Sequence, residues 1–548
     1  FQQPRRAFIG EFFSSIGTRR PIVLVLAFPV VAVSEVPIIL SYTKLSISMS
    51  YITHTLRLAL TVAFAALACV ASRAQTAAQS DSIVDQLRQI NLPLMNITTV
   101  EGKLPKSTYV SPPDGCVGKS IVRKSTVTGR LVMTLGDSLL YDSGTFQPDS
   151  TGITLHMRGN TSSYNLTPSY KLKLQQRADL LQRGERIYRN KHWALLNQVT
   201  TRDFKTMVGQ QVAMLCGTRW EPANRFVNLV IDGSYRGVYL LIETVKESEG
   251  RCNVPLEGYV TECDSYWWTK NDSNFHSNNL PYTMGYTFKY PDADEIDAVS
   301  FAYIRNTINN FEDALYGGQP IDDLFDTRSL MGWFLAHDIL GTWDGCGSNM
   351  FLIKDDRRDS RLRMGPLWDF DSTFKRSGEW ASVHRIQQFY GAACFSRPEL
   401  VQEYVDLWRE VRPLLQERVK AVVDSLCTNY GEAVDSSRVL AARWGALPTI
   451  ADNAKAVEDW FAERIPWLDE HIENLLVVQS DSSMTAAPMG AVQRMKVYAA
   501  DGRLCFEGTP DACAKWVRAA QTSVPGAYIL RSIGRNGEVL RTEEVMKR

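Results

Sequence analysis

The sequence predicts an α+β fold followed by a small all-β tail, and three observations predict it. Residues 92–174 hold short β-rich runs such as LVMTL, GITLHMRG and SYKLKL, cut by Gly, Pro, Asp and Ser. Residues 398–477 carry helical periodicity, with Val401, Tyr404, Val405 and Trp408 on one stripe. A polar linker at 479–493 then gives way to strand-like text, so residues 494–548 read as a small β-domain. The chain has 548 residues, 45% hydrophobic and 22% charged, with no net charge. That is globular composition with room for two or three domains. Balanced charge argues against nucleic acid as the main partner.

The first residues read as processing signals. The first Met is Met49, and residues 1–48 are expected to be a non-native upstream extension. Residues 49–74 have signal-peptide form: Arg57 gives the positive region, Leu58–Val70 the apolar region, and Ser72-Arg73-Ala74 a small-x-small cleavage site. Gln75 then begins the mature chain, and export to the periplasm, cell surface or medium is expected. A membrane span at Ile22–Leu40 is the alternative, weakened by Pro29, Glu35 and Pro37. A lipoprotein cysteine at Cys69 is disfavoured by Ala66 three positions upstream. Export permits disulfides. Nine of the ten cysteines follow the signal, an odd number, so one is left over if the rest pair. Cys252/Cys263 and Cys505/Cys513 are close enough in sequence to be candidate pairs, with buried free thiols as the alternative. No cysteine or histidine spacing matches a zinc site.

The remaining elements follow in order. Residues 75–91 are a polar lead-in, flexible or helical. Residues 201–216 read as a helix with Asp203 near its start. Residues 225–243 form a hairpin about Asp232-Gly233. Residues 329–343 are an amphipathic helix ending at Gly341, and a second hairpin follows within 351–370.

The segment GPLWDFDSTF poses the chemical question. Trp368, Phe370 and Phe374 suit a core, yet Asp369 and Asp371 stand between them, and carboxylates resist burial without a partner. Asp344 and Asn349 have four residues between them, and Asp369-Phe370 comes twenty residues after Asn349. Protein kinases use an Asp-x4-Asn loop and then an Asp-Phe pair beyond a short hairpin; the first Asp accepts the substrate hydroxyl proton, and the Asn and later Asp hold Mg²⁺. Phosphoryl transfer needs such groups, because its transition state spreads negative charge that metal and cations neutralise. Mg²⁺ over Asp369 would then supply the missing partner charge. The plain alternative has Asp344 capping a turn and Asp369 paired with Arg361 or Arg363.

Five stretches taken together carry a resemblance: MRGNTSSYNLTPSYKLKL, HWALLNQVTTRDFKTMVGQQVA, RFVNLVIDGSYRGVYLLIETV, WDGCGSNMFLIK and GPLWDFDSTF. In this order they resemble the CotH kinase family of atypical protein-kinase-like proteins, first associated with spore coats, over residues 92–478. The resemblance implies a kinase-like core with an antiparallel sheet and C-terminal helices. It implies Mg²⁺- and ATP-dependent transfer of the γ-phosphoryl to Ser/Thr of a protein. Arg158, Asn160 and Ser162 match a phosphate-facing turn, whose alternative is a tight turn held by Asn and Ser side chains. Lys173 matches the strand lysine that reaches the phosphates, and Glu243 the edge of the nucleotide pocket; their alternatives are a solvated face and a surface strand end. Asp344 is implied as base, Asn349 and Asp369 as metal ligands, and Asp371 as an aid to the metal or a brace for the loop. Two departures stand out. Val208-Gly209 occupy positions where the family has Arg-Asn, and Thr167-Pro168 replace a Lys pair. The helix at 201–216 also shows no clear equivalent of the Glu that pairs with a kinase lysine. These departures support a rival reading, an inactive nucleotide-binding or structural cell-surface protein. Finally, VYAADGRLCFEG and VPGAYILR resemble the sorting domains of type IX secretion, which would make the secretion machinery a partner; a packing β-sandwich is the alternative.

Overall fold

The structure, a computed structural model, describes residues 83–547 except 117–119, 123–124, 160–162, 164–166, 198–203, 255–256, 270–272, 293–294, 343–348, 359–360, 375–389, 442–446, 483–493, 500–503, 510–511, 514–525 and 534–538. The upstream extension, the signal segment and Cys69 lie outside the described residues.

The first layer is the expected antiparallel sheet closed into a barrel by one parallel pairing. After a short helix at 83–88 (α1) come β1 (Leu94–Thr99), a hairpin of β2 (Thr108–Val110) and β3 (Ser120–Val122), β4 (Val127–Leu135), β5 (Ser138–Asp142), β6 (Ile153–Arg158), β7 (Ser169–Ala178), β8 (Asn190–Asn197), α2 (Lys205–Leu215), β9 (Asn224–Ile231) and β10 (Ser234–Glu243). The strands run β1-β9-β10-β8-β7-β6-β4, and β4 pairs back to β1, with β5 beside β4. Strand β1 closes the ring. It is antiparallel to β4, with Leu94 opposite Thr134, and parallel to β9, with Leu94 opposite Asn228. Met95 and Ile97 enter the barrel core, while Leu94 packs with Leu87, Val230 and Tyr235 on the other face. Pairing on both sides leaves the ring without an open edge at β1. The predicted hairpin about Asp232-Gly233 is present as β9–β10, with Asp232 at φ 47° and Gly233 at φ 70°. Both residues adopt the left-handed backbone that such a turn demands.

One end of the barrel is closed by charge. Glu243 is fully buried. Its carboxylate accepts from Arg183 Nη2 at 2.7 Å and from the Ala223 amide at 3.1 Å, and lies 3.3 Å from Arg251 Nε. The Arg251 guanidinium also lies over the Trp193 ring, 4.7 Å from its centroid.

The second layer joins helices to a five-stranded antiparallel sheet. Its strands are β11 (Tyr259–Asp264), β12 (Asn274–Phe275), β13 (Gly285–Tyr290), β14 (Met350–Lys354) and β15 (Leu362–Met364), in the order β12-β13-β11-β14-β15. The helices are α3 (Ala298–Tyr316), α4 (Thr327–Leu340), α5 (Tyr390–Phe395), α6 (Pro398–Leu440) and α7 (Ile450–Ser482). The predicted C-terminal helical stretch is thus two long helices. Pro398 opens α6, where its missing N–H costs nothing. The stripe Val401, Tyr404, Val405 and Trp408 is buried, each contributing about 1.5–3 kcal/mol of apolar burial. Residues 479–482 of the expected linker continue α7; 483–493 lie outside the described residues.

Helix α4 ends as predicted at Gly341, whose φ is 61°. The four last carbonyls of a helix lack intrahelical partners, and here each finds one. His337 O accepts from Thr342 N, Asp338 O from Arg464 at 2.8 Å, Ile339 O from the Trp460 indole at 3.2 Å, and Leu340 O from Phe374 N at 3.0 Å. Arg464 and Trp460 belong to α7 and are buried. Gly341 is obligatory on two counts, since a Cβ there would also lie 2.6 Å from the Trp460 ring.

The C-terminal residues form a four-stranded antiparallel sheet: β16 (Arg494–Ala499), β17 (Leu504–Gly508), β18 (Gly526–Ile533) and β19 (Val539–Lys547), in the order β17-β16-β18-β19. The candidate disulfides are absent from the described residues. Cys252 and Cys263 are buried thiols in different apolar clusters, and Cys505 and Cys513 form no disulfide with each other. Burial pushes the Cys252 thiol up to about 12. Among the described residues no helix is long and apolar enough to cross a membrane.

Removing Glu243 would leave the buried Arg251, and Arg183 beside it, without their carboxylate. Glu243→Ala is expected to cost about 3–5 kcal/mol in denaturant unfolding, and a loss under 1 kcal/mol would contradict the structural role.

Candidate active site

The aromatic cluster and its two carboxylates resolve by alternation. After β15, Leu367 and Phe370 enter the core, while Asp369 is exposed and Asp371 half-buried. Leu367 N donates to Glu221 Oε1 at 2.8 Å. Phe370 packs against α2 at Gly209, where a Cβ would sit 2.3 Å from its ring. Thr373 closes a turn by donating its N–H to Phe370 O at 3.1 Å, and Phe374 then bonds the end of α4. Phe374 also packs on Trp460 and Phe461 of α7. The segment is therefore fixed on both sides of Asp369, whose own φ is 68°. Non-glycine residues rarely adopt this left-handed backbone, and such strain concentrates at functional positions.

Asp369 and Asp371 face a narrow cavity of ≈ 60 Å³ between the barrel and the helical layer. Its other walls are Arg158 and Gly159 at the end of β6, Ser169 of β7, Leu196 and Asn197 of β8, Lys205 and Thr206 of α2, Ile242 of β10, and Trp368 and Phe370. The Arg158 guanidinium lies over the Trp368 ring, 4.9 Å from its centroid. Lys205 Nζ donates to Asp371 O at 3.1 Å. Asp371 N contacts Asp369 Oδ1 at 3.4 Å. Two carboxylates and two cations thus share one wall system. The donor set suits a hard cation held by one or two carboxylates together with phosphate oxygens. Among the described residues no three His, Cys, Asp or Glu side chains group as a metal cage, so any metal here would draw its other ligands from elsewhere.

The structure brings Arg158, Asp369 and Asp371 together. It does not bring the other predicted groups to this cavity. Asn349 is half-buried just before β14, with φ 59°, and does not line it. Lys173 is exposed on the outer face of β7, in register with His192. Glu243 is committed to Arg183 and Arg251, and it is the adjacent Ile242 that reaches the cavity. Asp344, Asn160, Ser162 and Asp203 lie outside the described residues. The arginines offered as alternative partners of Asp369 are engaged elsewhere: Arg363 binds Asp355 at 2.7 Å, and Arg361 donates to Asp322 O at 3.0 Å.

Lys205 is a site residue that sequence reasoning missed. A lysine in the first turn of a helix opposes the helix dipole, which is itself a signal that anionic groups lie in front of it. Glu221 was also missed. Burial holds its carboxyl well above the usual range, and nothing in its sequence neighbourhood marks that. Near the cavity, Ser169, Lys171 and Lys173 share one face of β7. His192, opposite Lys173, has its pKa lowered to about 3 by burial, and then by Lys171, Lys246, Lys173 and Arg251.

Comparison with known proteins adds one finding of weight. A family model described as CotH kinase protein matches residues 155–468. No curated protein matches. Among solved structures, a complex of HipA, HipB and operator DNA from the toxin–antitoxin system of Shewanella oneidensis MR-1 aligns at 10% identity over 70% of this chain and 74% of that one. Its TM-score is 0.24, which carries no argument about fold.

Gly209→Ala should drive Phe370 off α2. The expected cost is about 1–3 kcal/mol of stability, with altered tryptophan fluorescence from the neighbouring Trp368; an unchanged melting curve would show that the ring relaxes freely. The neutral His192 contributes stability above its unfolded pKa, and that stability is lost as pH falls from about 6.5 toward 3. His192→Gln should therefore flatten the stability profile in this window, and a profile parallel to wild type would remove His192 as the cause.

Proposed function

The chain belongs to the CotH kinase family, and from that footing we propose that it is a Mg²⁺- and ATP-dependent phosphotransferase acting on Ser or Thr hydroxyls of a protein. The observation that carries the reading is the cavity in which Asp369 and Asp371 face Arg158 and Lys205. In this reading the core is kinase-like, with the barrel in the nucleotide-holding role and the helical layer presenting the acceptor. Asp369, aided by Asp371, holds Mg²⁺, which supplies charge neutralisation at the transferring phosphoryl. Arg158 and Lys205 orient the phosphate oxygens, with Asn160 and Ser162, which follow Arg158 in the sequence, assisting them. Asp344 accepts the proton of the acceptor hydroxyl, and Asn349, just before β14 and outside the cavity walls, is the second metal ligand that the family pattern implies. Lys173 attracts the polyanion from the outer face of β7 rather than gripping it. Fixed placement of the groups, rather than covalent chemistry, is what lowers the barrier.

A second reading is favoured by one observation. Val208 is fully buried and Gly209 is covered by Phe370, so α2 presents apolar surface where the family carries Arg-Asn. An inactive nucleotide-binding or structural surface protein would tolerate this. We also propose export, resting on the signal pattern of residues 49–74, and a sorting role for the sheet β16–β19 toward secretion machinery.

The test is incubation with Mg²⁺, γ-labelled ATP and a generic acceptor protein. Wild type should transfer label, while Asp369→Ala and Lys205→Ala should lose about 10²–10³-fold or more in rate with unchanged folding. Full turnover by Asp369→Ala would overturn the site assignment. A thermal shift with Mg-ATP but no label in any acceptor would select the inactive reading.

A further inference from the structure

Three buried oxygens meet in the helical layer. Glu312 of α3 is fully buried, and so are Tyr286 of β13 and Tyr390 of α5. The Tyr286 phenol oxygen lies 2.6 Å from Glu312 Oε1, and the Tyr390 phenol oxygen lies 2.8 Å from the same atom. The two phenol oxygens lie 2.6 Å from each other. The three atoms form a closed triangle in which every edge has hydrogen-bond length. Each edge needs a proton, because two oxygens so close repel without one. The phenols supply two protons, and an ionised carboxylate supplies none. One edge would then be empty. A carboxyl protonated at Oε1 supplies the third proton, and each oxygen donates once and accepts once. Such a ring satisfies three buried polar groups without burying a charge.

The surroundings favour the neutral acid. Burial raises the Glu312 carboxyl above its ordinary value, and Asp313 adds to this, against hydrogen bonds from Ser277, Tyr286 and Tyr390 that lower it. The other titratable groups about the triangle are Tyr316 of α3, Cys394 of α5 and Cys263 of β11, with Asp264 and Glu262 beyond Cys263. All are acids, so none of them offers Glu312 a counter-charge. The two ends of the triangle differ in how firmly they are held. Tyr286 sits in a strand paired on both sides, to Cys263 and to Phe275. Tyr390 opens α5, a helix of six residues.

We propose that Glu312, Tyr286 and Tyr390 form a proton-dependent clasp: with Glu312 neutral the ring is closed and holds α5, and when Glu312 ionises the ring opens at Tyr390 and α5 loosens. An ionised Glu312 draws both phenol protons to itself, which empties the edge between the two phenol oxygens. Because the carboxyl is raised, the clasp is fully closed below the ordinary value of 4.5 and is lost as pH rises through the folded-state value. The clasp does not depend on the phosphotransfer reading. It makes the anchorage of the chain between the Asp369 turn and α6 respond to pH.

The experiment compares the full chain with its Glu312→Gln and Tyr390→Phe variants. The infrared difference between wild type and Glu312→Gln is recorded at about pH 5.5, where an ordinary glutamate is ionised. It should show a protonated carboxyl, and a carboxylate there overturns the proposal. Amide hydrogen exchange is then followed from about pH 5 to about pH 8, corrected for intrinsic rates and referred to exchange in α6. In wild type the protection of Tyr390–Phe395 should fall about fivefold or more as pH rises. In Glu312→Gln, which cannot close the ring, that protection should be low and independent of pH. Tyr390→Phe removes one oxygen and cuts α5 from the triangle, so its protection should also be flat; this variant decides if Glu312→Gln fails to fold. Protection of α5 that ignores pH in wild type, or that follows pH in the variants as it does in wild type, overturns the proposal.

Discussion

The carbonyl end of α4 is the point on which the site depends. Four acceptors that a helix cannot satisfy by itself are distributed to three parts of the chain: the turn at Thr342, the side chains of Arg464 and Trp460 on α7, and the backbone of Phe374. Arg464 is fully buried and places its cation at the negative end of the helix. The same end therefore positions the Asp369 segment through Phe374, and it is the origin, by covalent connection, of the stretch that contains Asp344.

Three contacts hold the segment around Asp369. Phe370 is pressed on Gly209, Leu367 is hooked to Glu221, and Trp368 is covered by Arg158. The Arg158 guanidinium thus both braces the segment and lines the cavity. The cation contributed by α2 is also informative. Kinases place a helix carboxylate against a strand lysine; here the helix supplies Lys205 and the strand lysine faces outward.

Much of the fold was legible because it is written in short-range signals. Asp232-Gly233 fixes its hairpin, Gly341 stops α4, and the stripe from Val401 to Trp408 marks a buried face. Barrel closure was not legible, since it joins β1 to β9 across more than a hundred residues and no local pattern encodes that pairing. Motif order pointed to Arg158, Asp369 and Asp371, which line one cavity. The same motifs pointed to Lys173 and Glu243, which do not line it: Lys173 shares a face of β7 with the cavity-lining Ser169 but stands four residues further along the strand, and Glu243 alternates with Ile242 into the barrel end. Lys205 and Glu221 act through contacts with a segment about 150 residues away, and sequence spacing carries no trace of such contacts.

The parallel pairing of β1 with β9 also governs when the protein can fold. A chain emerges from the ribosome N-terminus first, at about 5–20 residues per second. Strand β1 appears early, but its neighbour follows only about 130 residues later, and β10 completes the ring after that. During synthesis the apolar face of β1 has β4 for company and lacks its second edge. Closing so long a loop is entropically costly and slow. The barrel therefore cannot close until β10, which ends at Glu243, has been made.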